Sequence, residues 1–346
     1  MKRLSSLLLA LVLVIGVVLS GCGGGKTQPP ATTPAPAAPQ KQVLKFGTSI
    51  TPINGKHIHW QTMQFLDEEI NKSTNGLIDF ELFPSAQLGG ERDYVEGISM
   101  GTFKFGLPYS VIGTIVDEFN VYDMPYLFKD FNHFAKVAKS DLVKELGKKL
   151  ETKKIKFLGM GSASGPYHVS NNTKSIKTVA DMKGLKIRAM ESPMILETFN
   201  TLGAQAIPMA WPEVYTGLKQ KTIDGVCTIN TGFWSAKLYE VQKYGSELEM
   251  FYSPAFVLAN LDWWNSLPKD VQAQVQKGVD AALERHYADC VKQDEEIKQE
   301  LKKLGMNYTE KKDIDIKAFR EAVKPVYAKY DAKYGDLIRK IQAMGE

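Results

Sequence analysis

The chain is 346 residues long, with 43 Lys plus Arg against 39 Asp plus Glu and a formal net charge of +4. That balance is far from the basic excess of a nucleic-acid binder, so no polyanion partner is implied. An apolar fraction of 44% beside 24% charged residues is ordinary for a globular chain, and three cysteines are too few for a disulfide framework.

Lys2 and Arg3 precede an apolar run from Leu7 to Leu19. The run is shorter than the ~20 residues of a spanning helix and leads through small residues to Cys22, which predicts an export signal over residues 1–21. Leu19-Ser20-Gly21-Cys22 resembles a bacterial lipobox, in which the signal is cut before the cysteine and the thiol carries lipid. The alternative is a short N-terminal membrane anchor with an incidental cysteine. Residues 22–41 are rich in Gly, Pro, Ala and Thr and offer nothing to a core, so they predict a flexible tether. Gly25-Lys26-Thr27 lacks the first glycine and the flanking strand of a phosphate loop. The expected location is outside the cytoplasm, anchored to the membrane by lipid at Cys22, at the cell surface or in the periplasm. With Lys2 and Arg3 removed, the mature charge is +2.

From Gln42 to Glu346, roughly 300 residues suggest two lobes rather than one. Leu44–Gly47 reads as a strand. Trp60, Met63, Leu66 and Ile70 then recur at helical spacing from His57 to Ser73, stopped by Asn75-Gly76. Leu77–Phe83 alternates as a second strand. Ser140 caps a helix carrying Leu142, Val143, Leu146 and Leu150, and Ile155–Met160 follows as a strand. The plan repeats with strand Leu185–Ala189, helix Pro193–Leu202, strand Gln205–Pro208 and helix Trp211–Gln220. Pro268 then opens a run of nearly forty residues with Val271, Val275, Val279, Leu283 and Leu301 on one face, long enough to span both lobes. The expected class is α/β, a two-lobed periplasmic-binding-protein-like fold with a ligand cleft between the lobes. Lobe I is expected to hold residues 42–164 plus about 252–290, and lobe II residues 165–251 plus about 291–346.

Residues 94–103 and 214–223 echo one another, a helix running through a Gly/Lys-Thr turn into a short strand. The strands end in Pro108-Tyr109-Ser110 and Thr228-Ile229-Asn230. Ligands gather at the carboxyl ends of strands in open α/β sheets, so these two ends are candidates to face one another across the cleft. The alternative is a chance likeness of two helix-turn-strand units.

Catalytic patterns are missing. His57 and His59 have no acidic or thiol residue at metal spacing and read as surface histidines rather than a metal site. Gly159–Gly165 is rich in Gly and Ser without the spacing of a hydrolase elbow, and reads as a flexible crossing between lobes. No dinucleotide loop or carboxylate pair suggests an enzyme, and an exported hydrolase would lack both nucleophile and base. Cys227 and Cys290 read as free, buried thiols. Arg188 stands out instead, near the end of a core strand and just before Glu191-Ser192-Pro193 opens a helix. A planar guanidinium beside helix N–H groups suits a carboxylate. The competing role is an internal ion pair with Glu191 or Glu213.

Several blocks stand in a recognisable order: Phe83-Pro84-Ser85-Ala86-Gln87-Leu88-Gly89-Gly90-Glu91-Arg92, Asp123-Met124-Pro125-Tyr126-Leu127-Phe128, Leu185-Lys186-Ile187-Arg188, Pro212-Glu213-Val214-Tyr215-Thr216-Gly217-Leu218 and Ile223-Asp224-Gly225. With them the chain resembles, from Val43 to the end of the long helix, the solute-binding proteins of tripartite ATP-independent periplasmic (TRAP) transporters, of the dicarboxylate-binding (DctP) type. The resemblance implies two lobes closing on an organic acid, with Arg188 holding its carboxylate. A second arginine common in the family falls on Tyr167, and an asparagine of many members falls on Thr228, with Asn230 a possible substitute. Tyr109, Tyr167, Trp211, Phe233 and Trp234 lie near the expected cleft, with Tyr215 and Ser110 as further ligand-binding candidates. One arginine fewer and more aromatic surface favour a monocarboxylate with an apolar or aromatic body, such as a branched-chain or aromatic 2-oxo acid, or an amino acid. The implied partners are that acid and the small and large membrane subunits of a permease, with the protein itself a monomer and no cofactor or metal. The alternative function is a sensory or adaptor protein presenting ligand to a receptor.

Overall fold

The computed structural model describes residues 40–52, 57–162 and 165–345. The export signal, Cys22 and all but the last two residues of the expected tether lie outside the described residues.

In chain order the elements are β1 (Gln42–Gly47), α1 (Ile58–Ser73), β2 (Ile78–Phe83), α2 (Glu91–Met100), β3 (Phe105–Gly106), α3 (Phe131–Ala138), α4 (Asp141–Lys148), β4 (Ile155–Ser162) and β5 (His168–Asn171). They continue with β6 (Lys186–Ala189), α5 (Pro193–Thr201), β7 (Gln205–Pro208), α6 (Val214–Lys219), β8 (Gly225–Thr228), α7 (Asn230–Ser235) and β9 (Tyr244–Ser246). The chain ends with β10 (Pro254–Asn260), α8 (Leu261–Ser266), α9 (Lys269–Lys303), β11 (Asn307–Thr309), α10 (Ile316–Ala322) and α11 (Lys324–Ala343). Helix Trp211–Gln220 of the sequence reading is a 3-10 turn over Trp211–Glu213 followed by α6.

Two α/β lobes result. In the first, β1 pairs in parallel with β2, and β10 lies antiparallel between β3 and β4. The second is a six-stranded mixed sheet in the order β11-β9-β5-β8-β6-β7. The chain passes between lobes from β4 to β5 and again from β9 to β10.

The long helix α9 is the third tie. Its 35 residues extend about 50 Å at 1.5 Å per residue. Val271, Val275, Val279 and Leu283 pack in the cluster that holds Phe46, Met63, Leu66 and Phe105. Near its other end, Ile297 and Leu301 pack with Val214, Leu218 and Phe233 of the second lobe. Gly278 sets the approach of α1: a Cβ there would stand 2.7 Å from the Ile70 Cα.

Two expectations change. Gly159 and Ser162, read as part of a flexible crossing, belong to β4, while residues 163 and 164 lie outside the described residues. The glycines serve packing: a Cβ on Gly159 would come within 2.6 Å of Leu283, and one on Gly161 within 3.1 Å of His286. The helix α11, expected within lobe II, buries Val326, Tyr334, Ile338 and Ile341 in the cluster of Phe119, Tyr122 and Phe134. Its apolar face therefore completes a core beside the three-stranded sheet. Tyr327 adds a hydrogen bond from its hydroxyl to the Pro125 carbonyl.

Candidate functional site

A cavity of about 240 Å³ lies between the lobes. The first lobe contributes Ser49 and Ile50 after β1, His57 before α1, Gly90 to Asp93 at the start of α2, and Tyr109 and Val111 beyond β3. The second contributes Tyr167 before β5, Arg188 and Met190 to Ser192 at the end of β6, Met209 to Pro212 after β7, and Thr228, Ile229 and Gly232 after β8. Tyr109 and Thr228, the ends of the two echoing units, thus line one cavity. The site gathers the carboxyl ends of strands from both lobes, where α/β folds bind ligands. Helices α2 and α5 also begin there, directing N-terminal partial positive charge toward it.

Arg188 is 4% exposed. Its Nε donates to the Met209 carbonyl at 2.9 Å, which fixes the plane of the guanidinium. The guanidinium carbon lies 5.4 Å from the centre of the Trp211 ring. Among the described residues it has no ion-pair partner. Glu191 pairs instead with Arg92 at 3.3 Å, and Glu213 is exposed. The internal ion pair weighed against a ligand role is therefore not formed. Burial pulls the Arg188 pKa down to about 10, against the opposing pull of Tyr167, Cys227, Glu91 and Glu191. It stays a cation at neutral pH, held in a cavity without its own counter-charge.

Around it stand further polar groups, of which the sequence reading singled out only Tyr109 for binding. Burial raises the Glu91 pKa to about 8, although the Tyr109 backbone N–H and the Arg188 charge both favour the anion. The residue as a whole keeps some exposure at the cavity wall while its carboxyl is desolvated; the two are compatible because the carboxyl is the part enclosed. At neutral pH Glu91 is therefore mostly a neutral acid. Among the described residues the Tyr109 hydroxyl, Ser192 Oγ and His57 Nε2 are buried without a hydrogen-bond partner. Each belongs to a residue lining the cavity. Ile50, Val111, Met190, Met209, Trp211 and Ile229 supply the apolar wall.

Of the residues proposed from sequence, Arg188, Tyr167, Trp211, Thr228 and Tyr109 line the cavity. Tyr167 is 5% exposed, with its hydroxyl 3.7 Å from the Met190 sulfur. Four others do not line it. Asn230 is turned toward α9, where its Nδ2 donates to Asp294 Oδ2 at 3.1 Å and its Oδ1 accepts from Tyr308. Phe233 is fully buried in the cluster around Leu301, and Trp234 packs against that same cluster. Tyr215 reaches away along α6, donating to Glu240 at 2.9 Å. The reason is helical: α7 starts at Asn230, so Phe233 and Trp234 fall on faces turned to α9 and α6. The side chain of Ser110 lies outside the described residues.

His57 and His59, read as surface residues, are buried at 0% and 1% exposure. His57 caps α1, and the His59 ring lies 4.5 Å from that of Tyr109. Among the described residues no group of three or more His, Cys, Asp or Glu side chains is arranged to hold a metal ion. Glu91 belongs to a quoted sequence block and opens a helix, a signal that could have marked it. The helix start beside Arg188 is the local signal for Ser192, the N-cap of α5, whereas nothing local marks His57 as a cavity residue.

The family model described as bacterial extracellular solute-binding protein, family 7, matches residues 50–333. The 2,3-diketo-L-gulonate-binding periplasmic protein of Escherichia coli is 32% identical over 307 residues, covering 87% of this chain and 91% of that protein. A TRAP periplasmic solute-binding protein from Bordetella bronchiseptica, with density assigned to pantoate, superimposes with a TM-score of 0.82 at 31% identity, over 88% of this chain and 99% of that one. A second, from Polaromonas sp. JS666 and bound to D-erythronate, gives 0.82 at 30% identity over the same shares.

Proposed function

This chain belongs to family 7 of the bacterial extracellular solute-binding proteins, the organic-acid-binding components of TRAP transporters, and we propose that its own ligand is a small monocarboxylate with a largely apolar body. The observation that carries this reading is the buried, unpaired Arg188. A buried cation without a partner costs several kcal/mol, and a ligand carboxylate relieves that cost through two parallel hydrogen bonds.

Arg188 is the buried cation of the cavity, while Arg92 at its wall is exposed and paired with Glu191, so one carboxylate is favoured. Tyr167 stands where relatives of this type are expected to place a second arginine, so a second carboxylate would enter the cavity unpaired beside Glu91. The volume of about 240 Å³ is below the range typical of drug-sized ligands, and the Met, Ile, Val and Trp wall suits branched carbon. Pantoate, D-erythronate and 2,3-diketo-L-gulonate, named for the relatives above, each carry a single carboxylate with further oxygens. The polar atoms of Tyr109, Ser192, His57 and Glu91 are suited to a few such oxygens here. A branched-chain 2-oxo acid meets both requirements.

The protein carries this acid outside the cytoplasm to the small and large membrane subunits of its permease, held near them by lipid on Cys22. Mass spectrometry of small molecules released from the purified protein, followed by calorimetric titration of the acid found, tests the ligand class. A diacid, or a ligand without a carboxylate, would contradict the reading.

A further inference from the structure

The histidine before α1 is placed to read an atom of the ligand other than its carboxylate. His57 Nδ1 accepts the His59 backbone N–H at 3.2 Å, and so serves as the helix cap. The ring is fully buried, and desolvation lowers its pKa to about 3, so it is neutral at physiological pH. A neutral imidazole carries one N–H hydrogen. Since Nδ1 is an acceptor, that hydrogen sits on Nε2, a tautomer assigned from the hydrogen-bond network. Nε2 is buried and has no partner among the described residues, while His57 lines the same cavity as Arg188. A buried donor left unpaired is unfavourable, and a ligand oxygen within reach would satisfy it.

We propose that His57 donates through Nε2 to a ketone or hydroxyl oxygen of the bound acid, and thereby selects oxo and hydroxy acids over amino acids. The capping bond is what makes the choice one-sided. It forbids Nε2 from acting as an acceptor, so a ligand ammonium in that place would set donor against donor. Two devices would then share recognition, Arg188 for the carboxylate and His57 for the neighbouring oxygen. This inference rests on the monocarboxylate reading above.

Four acids of one carbon skeleton test it: 3-methyl-2-oxobutanoate, 2-hydroxy-3-methylbutanoate, 3-methylbutanoate and valine, titrated calorimetrically into the wild-type protein and into His57→Ser. Serine retains a capping oxygen and removes Nε2, and a melting curve on the variant checks the fold. The expected wild-type result is binding of the oxo and hydroxy acids about tenfold or more tighter than 3-methylbutanoate and valine. In His57→Ser that preference should shrink to within about threefold. Wild-type protein that binds valine as tightly as the oxo acid overturns the proposal without any variant. The same preference in wild type and His57→Ser overturns it too, while leaving the monocarboxylate reading intact. Failure of all four acids to bind would contradict that reading itself, and this proposal with it.

Discussion

Arg92 at the start of α2 and Glu191 just beyond β6 meet at 3.3 Å, joining the first lobe to the second at the wall of the cavity. The two side chains are 54% and 46% exposed, so water screens the pair. Its contribution is modest, under about 1 kcal/mol.

Removing this bridge should therefore tune closure rather than abolish it. Arg92→Ala is expected to weaken ligand binding by less than about fivefold and to flatten the dependence of affinity on salt. Titrations at low and high ionic strength check this. Unaltered salt dependence would show that the pair takes no part in closure.

Glu91 makes binding depend on pH. With its pKa raised to about 8, the carboxyl is neutral at pH 7 and becomes an anion above that value. The anion opposes a ligand carboxylate, so affinity should fall about tenfold between pH 7 and pH 9. Arg188, at about 10, keeps most of its charge over that interval. The same shift bears on folding. The folded state holds a proton that the unfolded chain releases near pH 4.5, so this group's contribution to stability declines as pH rises from about 4.5 to 8. Glu91→Gln should remove both slopes, measured by titration and by thermal melting across that range.

Much of this architecture can be read in the sequence because local signals and global packing agree. Asn75 and Gly76 adopt φ of 53° and 80°, ending α1 where the dipeptide predicted. Met63, Leu66 and Ile70 are fully buried, as their spacing required. Arg188 is legible as a candidate because an arginine near the end of a core strand stands just before a helix start. The failures share a cause. Phe233, Trp234 and Asn230 sit at the right strand end, but which way a short helix turns depends on α9, some sixty residues later. His57 is likewise buried, and no pattern within residues 57–73 encodes it.

Tyr167 is expected to set selectivity rather than affinity. It lines the cavity on the same side as Arg188, at the place where a second arginine would pair a second carboxylate. Tyr167→Arg should raise the affinity for diacids relative to monoacids. Competition titrations with matched mono- and dicarboxylates decide it, and an unchanged ranking would mean that charge count is controlled elsewhere.

The N-terminal sequence makes a separate prediction. Cys22→Ser should leave the exported protein without lipid and with its signal uncut at that position, measured by intact mass of the membrane-extracted chain. A wild-type protein whose mature N-terminus bears no lipid would contradict the proposed anchor.

The most direct test is a paired measurement on Arg188→Ala: calorimetric titration with the co-purified acid and a melting curve on the same sample. Loss of its partner in a closed cavity leaves the ligand carboxylate desolvated, a penalty of roughly 3 to 5 kcal/mol, or about two to four decades in Kd. Arg188→Lys should recover part of this, since it restores charge without the fork. The melting temperature of the ligand-free variant should change little, because relief of a buried charge offsets the lost bond to the Met209 carbonyl and the contact with Trp211. A folded Arg188→Ala protein that binds its acid within a few-fold of wild type would contradict the carboxylate clamp.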